Sequence, residues 1–308
     1  MWKGINSKYI ILQIIENLSE KTLLKLIRHN KELQHDKNIS LNDYKNFFNI
    51  EIELIPKDNL IGGEIFINYI NESSLFHIYF NDNQQEVKEN YITKNKNIGK
   101  IKVILEKKIK SLRGLFKDCK CLKEINFKKF HRKDITDMGE MFENCSSLVK
   151  LDLSKIHTDN VTKMDWMFYK CEALLELNVE NFVTENVTDM SAMFKHNFLI
   201  KELNLSNFKT SKVTNMKGMF FKCLSLTQLD LSNFDTSNVT DMRWMFGECT
   251  GLRKLNIYNF NTSNVKDMRW IFEGCSALNK ADMTNLICNG DIDMESISTY
   301  SHIELKIK

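Results

Sequence analysis

One proline, Pro56, occurs in 308 residues, so regular elements are rarely interrupted by it. Nothing in the chain reaches about 18 consecutive apolar residues, the length that suits a membrane span. The opening MWKGINSKYIILQIIENLSEK is broken by Gln13 and Glu16, and no small-residue cleavage site follows, so it reads neither as a secretory signal nor as a span. Charge of one sign is lacking too. Lys and Arg number 43 against 40 Asp and Glu, a net +3 without a long basic block. That balance points away from a dedicated nucleic-acid or anionic-membrane binder. These absences predict a cytoplasmic chain that keeps its thiols reduced; a monomer is expected.

Metal and catalytic spacings are missing as well. Eight cysteines are present, but the one close pair is Cys119 and Cys121, and zinc sites need pairs such as C-x2-C. The seven histidines fall at 29, 35, 77, 131, 157, 196 and 302. No phosphate loop, paired-carboxylate site or nucleophile–histidine set stands at a diagnostic spacing. No catalytic, metal or cofactor residue is predicted, and the expected class is non-enzymatic.

What is present is a repeat. Phenylalanines stand at 116, 142, 168, 194, 220, 246 and 272, a constant interval of 26. Methionines follow it from Met138 to Met268, leucines from Leu151 to Leu255, and threonines from Thr158 to Thr262. Cysteines follow it from Cys119 to Cys275, with Asn197 in the vacant slot. In LRKLNIYNF, Leu252, Leu255 and Ile257 alternate with polar neighbours, as in a strand. In NVTDMRWMFGEC, Met242, Met245, Phe246 and Cys249 fall at i, i+3, i+4 and i+7. That spacing predicts one face of a short helix capped by Asn238 or Thr240. The expected fold is an α/β solenoid of 26-residue strand–helix coils, a leucine-rich-repeat array over residues 99–280 whose coils are stabilised by stacking on one another. A helical segment (1–49) and a small β-rich segment (50–98) precede it, and a C-terminal cap (281–308) follows. The cysteine and methionine ladders are expected to be core filler. Helices about 8–10 Å apart would hold the cysteines too far apart for disulfides.

The sequences FGECTGLRKLNI and FENCSSLVKLDL resemble the BspA-like leucine-rich repeats over roughly residues 99–290. The resemblance implies a protein-binding solenoid without an active site. Bacterial members of that group are surface adhesins, which makes an exported adhesin the alternative reading. The stretch YIILQIIENLSEKTLLKLIRHNKELQHD, within residues 7–48, resembles an F-box, although the leading Leu-Pro is replaced by SKYI. That likeness implies a Skp-type adaptor of a cullin ubiquitin ligase as partner, with Ile14, Ile15, Leu18, Leu24 and Ile27 dividing between the core and the adaptor surface.

Two surfaces remain for binding. Trp166, Trp244 and Trp270 share one slot, placed on the helix opposite its Met–Phe–Cys face, so their rings are expected to stand partly outside the core with Trp244 beside Trp270. The central outward column of the strand side includes Asn204, Asp230 and Asn256, flanked by Glu176, Glu180 and Glu202. Each is a candidate partner-binding surface.

Overall fold

The structure, a computed structural model, describes residues 46–278 except 61, 70–72 and 94–96, with positions 22, 25, 29 and 43 besides. The adaptor-surface candidates Ile14, Ile15, Leu18, Leu24 and Ile27, and the cap expected over 281–308, lie outside the described residues.

Strand β1 (Ile50–Pro56) alternates buried and half-buried residues, the pattern of a pleated strand with one face in the core. Strands β3 (Phe76–Phe80), β5 (Ile101–Leu105), β6 (Leu122–Lys129) and β7 (Lys150–Asp152) join it in a five-stranded sheet of order β3-β5-β1-β6-β7. Ile52 lies opposite Val103 on one side and Phe127 on the other. A separate two-stranded pair is formed by β2 (Glu64–Ile65) and β4 (Tyr91–Ile92). The small sheet merges into the repeat at β6, which pairs antiparallel with β1 and parallel with β7.

The repeat does not form strand–helix coils. No α-helix occurs among the described residues 99–278, so the expected α/β leucine-rich-repeat solenoid is overturned. Alternating backbone donors explain why. The N–H groups of Leu112, Gly114, Phe116 and Asp118 donate to the carbonyls of Asp137, Gly139, Met141 and Glu143 in the following rung, at 2.9, 3.0, 2.8 and 2.8 Å. Those of Leu115, Lys117 and Cys119 turn back to carbonyls three residues earlier. An α-helix needs each N–H to return to the fourth residue before it. A segment that sends half of its donors sideways cannot meet that demand.

The alternation places two residues of every rung in the left-handed region. The pairs are Gly114 and Asp118, Glu140 and Asn144, Trp166 and Lys170, Ala192 and His196, Gly218 and Lys222, Trp244 and Glu248, and Trp270 and Gly274, with φ from 52° to 71°. The predicted helix caps have other duties. Asn238 Nδ2 donates to the Ser211 carbonyl (2.7 Å) and Thr240 Oγ1 to the Thr214 carbonyl (3.1 Å), both in the preceding rung. Parallel bridges at the same interval, Ser111 to Asp137 and onward to Asp267, run the length of the stack.

The repeated side chains fasten rung to rung. Phe116, Phe142, Phe168, Phe194, Phe220, Phe246 and Phe272 form one column with centroids 5.5–5.8 Å apart and planes within 13°. Met138, Met141, Phe142 and Cys145 are fully buried, so the spacing located the core although the conformation is not helical. The seven described cysteines are free and buried. Cys145, Cys171, Cys223, Cys249 and Cys275 each donate Sγ–H to the phenylalanine carbonyl 29 residues earlier, at 3.0–3.2 Å. Asn197 takes over this bond in the vacant slot, from Nδ2 to the Phe168 carbonyl at 2.8 Å. The buried threonines act likewise. Thr184 Oγ1 donates to the Lys209 carbonyl (3.0 Å) and accepts from the Lys209 N–H (2.7 Å).

Candidate functional site

The outward column on the strand side is continuous at its ends and open in the middle. Strand β6 pairs with β7 at Glu124–Asn126 and Lys150–Asp152, and β8 (Gln228–Asp230) pairs with β9 (Lys254–Asn256). Between them, residues 176–178 and 202–204 have strand slots but no backbone pairing with either neighbouring rung among the described residues. Glu176 and Glu202 occupy the same slot on adjacent rungs, and like charges set opposite one another weaken a strand pair. Pairing is equally absent between Lys150 and Glu176 and between Glu202 and Gln228, so charge alone does not open the column. At the paired end the corresponding groups are Glu124 and Lys150, 3.9 Å apart.

The opening forms a cleft of about 550 Å³ lined by Leu175, Glu176, Glu180, Leu199 and Glu202 and by one cation, Lys201, so that three carboxylates face a single ammonium group. Leu175 and Leu199 are 53% and 42% exposed. Glu180 accepts from Asn204 Nδ2 at 2.7 Å. Glu176 and Glu202 form no ion pair among the described residues. Asn204, one of the three residues singled out on this side, lines the cleft. Asp230 and Asn256 sit beyond it on β8 and β9, where Asp230 accepts from the Ser232 N–H (2.9 Å), a bond that holds its carboxyl below the usual range.

The tryptophan slot forms a second surface. All three indoles are half-buried at left-handed residues. Trp244 stacks on Trp270 at 5.0 Å and 24°. Trp244 also meets the edge of Phe221 at 5.2 Å. Gly247 makes that contact possible, because a Cβ there would lie 2.7 Å from the indole and 3.0 Å from the phenyl ring. Trp166 contacts Tyr169 at 4.6 Å, Tyr169 contacts His196 at 5.6 Å, and His196 contacts Phe221 at 5.5 Å. The tryptophans therefore belong to one aromatic belt with members that sequence reading passed over. His196 was legible, since it falls 26 residues after Lys170 and 26 before Lys222.

The two ends of this second surface are electrically balanced. Arg113 binds Asp165 Oδ2 at 2.5 Å, Glu140 at 2.7 Å and Asp137 at 3.2 Å. Hydrogen bonding to Asp165 raises its already high pKa. Gly139 leaves room for that guanidinium, which a Cβ would meet at 2.1 Å. Lys117 pairs with Glu140 and Glu143. At the other end Arg243 and Arg269 pair with Asp241 and Asp267. Among the described residues no group of His, Cys, Asp and Glu is placed to hold a metal ion, and no helix is long and apolar enough to cross a membrane.

Nothing among curated proteins and nothing among solved structures matches this chain. Residues 85–203 and 189–299 each match the model of the family described as "Mycoplasma protein of unknown function, DUF285". The two matches together span well over half of the sequence, so the chain belongs to this family.

Proposed function

We propose that the protein is a non-catalytic interaction module that receives an extended, basic segment of a partner protein in the cleft at residues 175–204. The observation that carries this reading is the interrupted strand pairing. Among the described residues, two rungs offer unpaired backbone donors and acceptors beside exposed leucines and beside Glu176 and Glu202, which form no ion pair. An added strand satisfies such backbone groups, and its alternate side chains supply specificity. Lysine or arginine at alternate positions would meet Glu176, Glu180 and Glu202, and an apolar side chain would cover Leu175 and Leu199.

Selection from a display library of short random peptides tests this. The expected result is enrichment of sequences alternating basic and apolar residues, with at least about tenfold weaker binding, some 1.4 kcal/mol, to the Glu176→Lys/Glu202→Lys variant. Enrichment without that pattern, or binding unchanged by the double reversal, refutes the cleft as the receptor. A finer form of the reading, in which residues 7–48 engage a Skp-type adaptor, rests on the F-box resemblance and is tested separately. Adaptor pull-down that survives Ile15→Asp and Leu24→Asp would rule it out.

A further inference from the structure

The middle rungs carry four lysines that no carboxylate meets among the described residues. Lys170, Lys195 and Lys222 are half-buried, and Lys217 stands exposed beside them. Lys195 Nζ lies 4.8 Å from the Phe221 centroid, 5.7 Å from that of Trp166 and 5.9 Å from that of Tyr169. Lys170 Nζ sits 5.3 Å over Tyr169, and Lys222 Nζ 5.5 Å over Phe221. Three ammonium groups thus converge on two rings. Among the described residues none of the four lysines forms an ion pair.

A buried cation needs an anionic partner, and although a half-buried lysine can keep its ammonium in water, this protein gives the cations on either side carboxylates. Arg113 and Lys117 in the earlier rungs, and Arg243 and Arg269 in the later ones, all have carboxylates. The ring faces stabilise the ammonium groups without neutralising them. The charges acting on Lys195 are those of Lys217, Lys170 and Lys222, all positive.

We propose that Lys170, Lys195 and Lys222, with Lys217 at the rim, form a binding site for a phosphate dianion, free or as a monoester, on the floor made by Tyr169 and Phe221. A tetrahedral dianion offers several oxygens to donors that approach from different rungs, and lysine serves phosphate as a point charge without the planar fork that carboxylates favour. A nucleic-acid strand fits less well. Its bases need open ring faces, and here the ammonium groups occupy them. Its backbone needs a basic track, whereas the slot of Lys170 and Lys222 runs into Glu248 one rung later, and Glu143 borders the earlier side. The site lies apart from the cleft and does not depend on its reading.

Inorganic phosphate and a phosphoserine-bearing peptide are each titrated into the full chain at constant ionic strength, with chloride as control. Indole fluorescence and the His196 imidazole resonance report the outcome. The expected result is saturation by phosphate at or below about 1 mM, with the His196 pKa, held down by burial and then by the three lysines, rising by about one unit as the anion offsets the lysine charges. Tighter binding of the peptide than of phosphate identifies a protein-borne monoester, and equal affinity identifies the free ion. Lys195→Met and Lys222→Gln should each weaken binding about tenfold, with melting temperatures unchanged or raised. No saturation, equal responses to phosphate and chloride, or an unmoved His196 titration overturns the proposal, and none of these requires a variant that folds.

Discussion

Replacing Asn197 by cysteine should stabilise the protein. The side chain is fully buried. Its Nδ2 donates to the carbonyls of Phe168 (2.8 Å) and Phe194 (2.7 Å), while Oδ1 has no partner among the described residues. A buried acceptor left unpaired costs about 1–3 kcal/mol, and each hydrogen bond contributes about 0.5–1.5 kcal/mol net. Cysteine retains the bond to the preceding rung, as Cys171 does to the Phe142 carbonyl at 3.2 Å. It gives up the second bond and removes the orphaned oxygen. The midpoints of those ranges favour Asn197→Cys by about 1 kcal/mol, equivalent to about two to four degrees in melting temperature for a chain of this size. Guanidinium denaturation followed by indole fluorescence should show a higher midpoint at unchanged slope, the signature of altered stability rather than altered compactness. The reciprocal Cys223→Asn should lose a similar amount. If Asn197→Cys destabilised by more than about 1 kcal/mol, the amide would be contributing more than it costs, and the reasoning would fail.

Two further outcomes follow from the core and the aromatic belt. Phe220 is fully buried between Phe194 and Phe246, at 5.6 and 5.7 Å. Phe220→Ala should cost about 3–5 kcal/mol in urea denaturation, and a loss below about 1 kcal/mol would contradict the packed column. Burial, and then Lys195, Lys222 and Lys170, hold the His196 pKa down to about 4. Below the ordinary histidine value of about 6.5 the unfolded chain takes up a proton that the native state refuses. This contribution to stability is therefore present above about pH 6.5 and drains away as the pH falls toward 4. His196→Gln should flatten that part of the profile in thermal melts between about pH 7.5 and 4.5, and an unchanged profile would show that the ring titrates normally.

The period, the buried column and the free cysteines were legible in the sequence because each depends only on which residue type returns to which slot. The turn arm was not. Its core residues fall at i, i+3, i+4 and i+7, a spacing shared by a helix and by the alternating turns that form instead. The left-handed positions give no residue signature, since Gly, Asp, Glu, Asn, Trp, Lys, Ala and His all occupy them. What fixes them is the partner of each N–H, and that lies in another rung. On the surfaces, Asn204 and the tryptophan slot were visible as columns. Tyr169, Lys195 and Phe221 were not, because their slot holds Glu143 and Gly247 elsewhere. The opened strand pairing was not legible, because it covers the Lys150–Glu176 and Glu202–Gln228 junctions as well as Glu176 above Glu202.

The alternating donors also govern how such a chain can change length. Each turn segment is read by the rung before it and the rung after it, so losing one residue from the segment 242–249 would shift every donor from sideways to backward and carry the left-handed corners onto their neighbours. The error would not be local, because the adjoining rungs lose their acceptors too. Removing or duplicating a whole 26-residue unit leaves all remaining pairings in phase. The architecture therefore tolerates growth in whole units and resists single-residue insertions within the turns, leaving the loops outside that ladder as the places where length can drift.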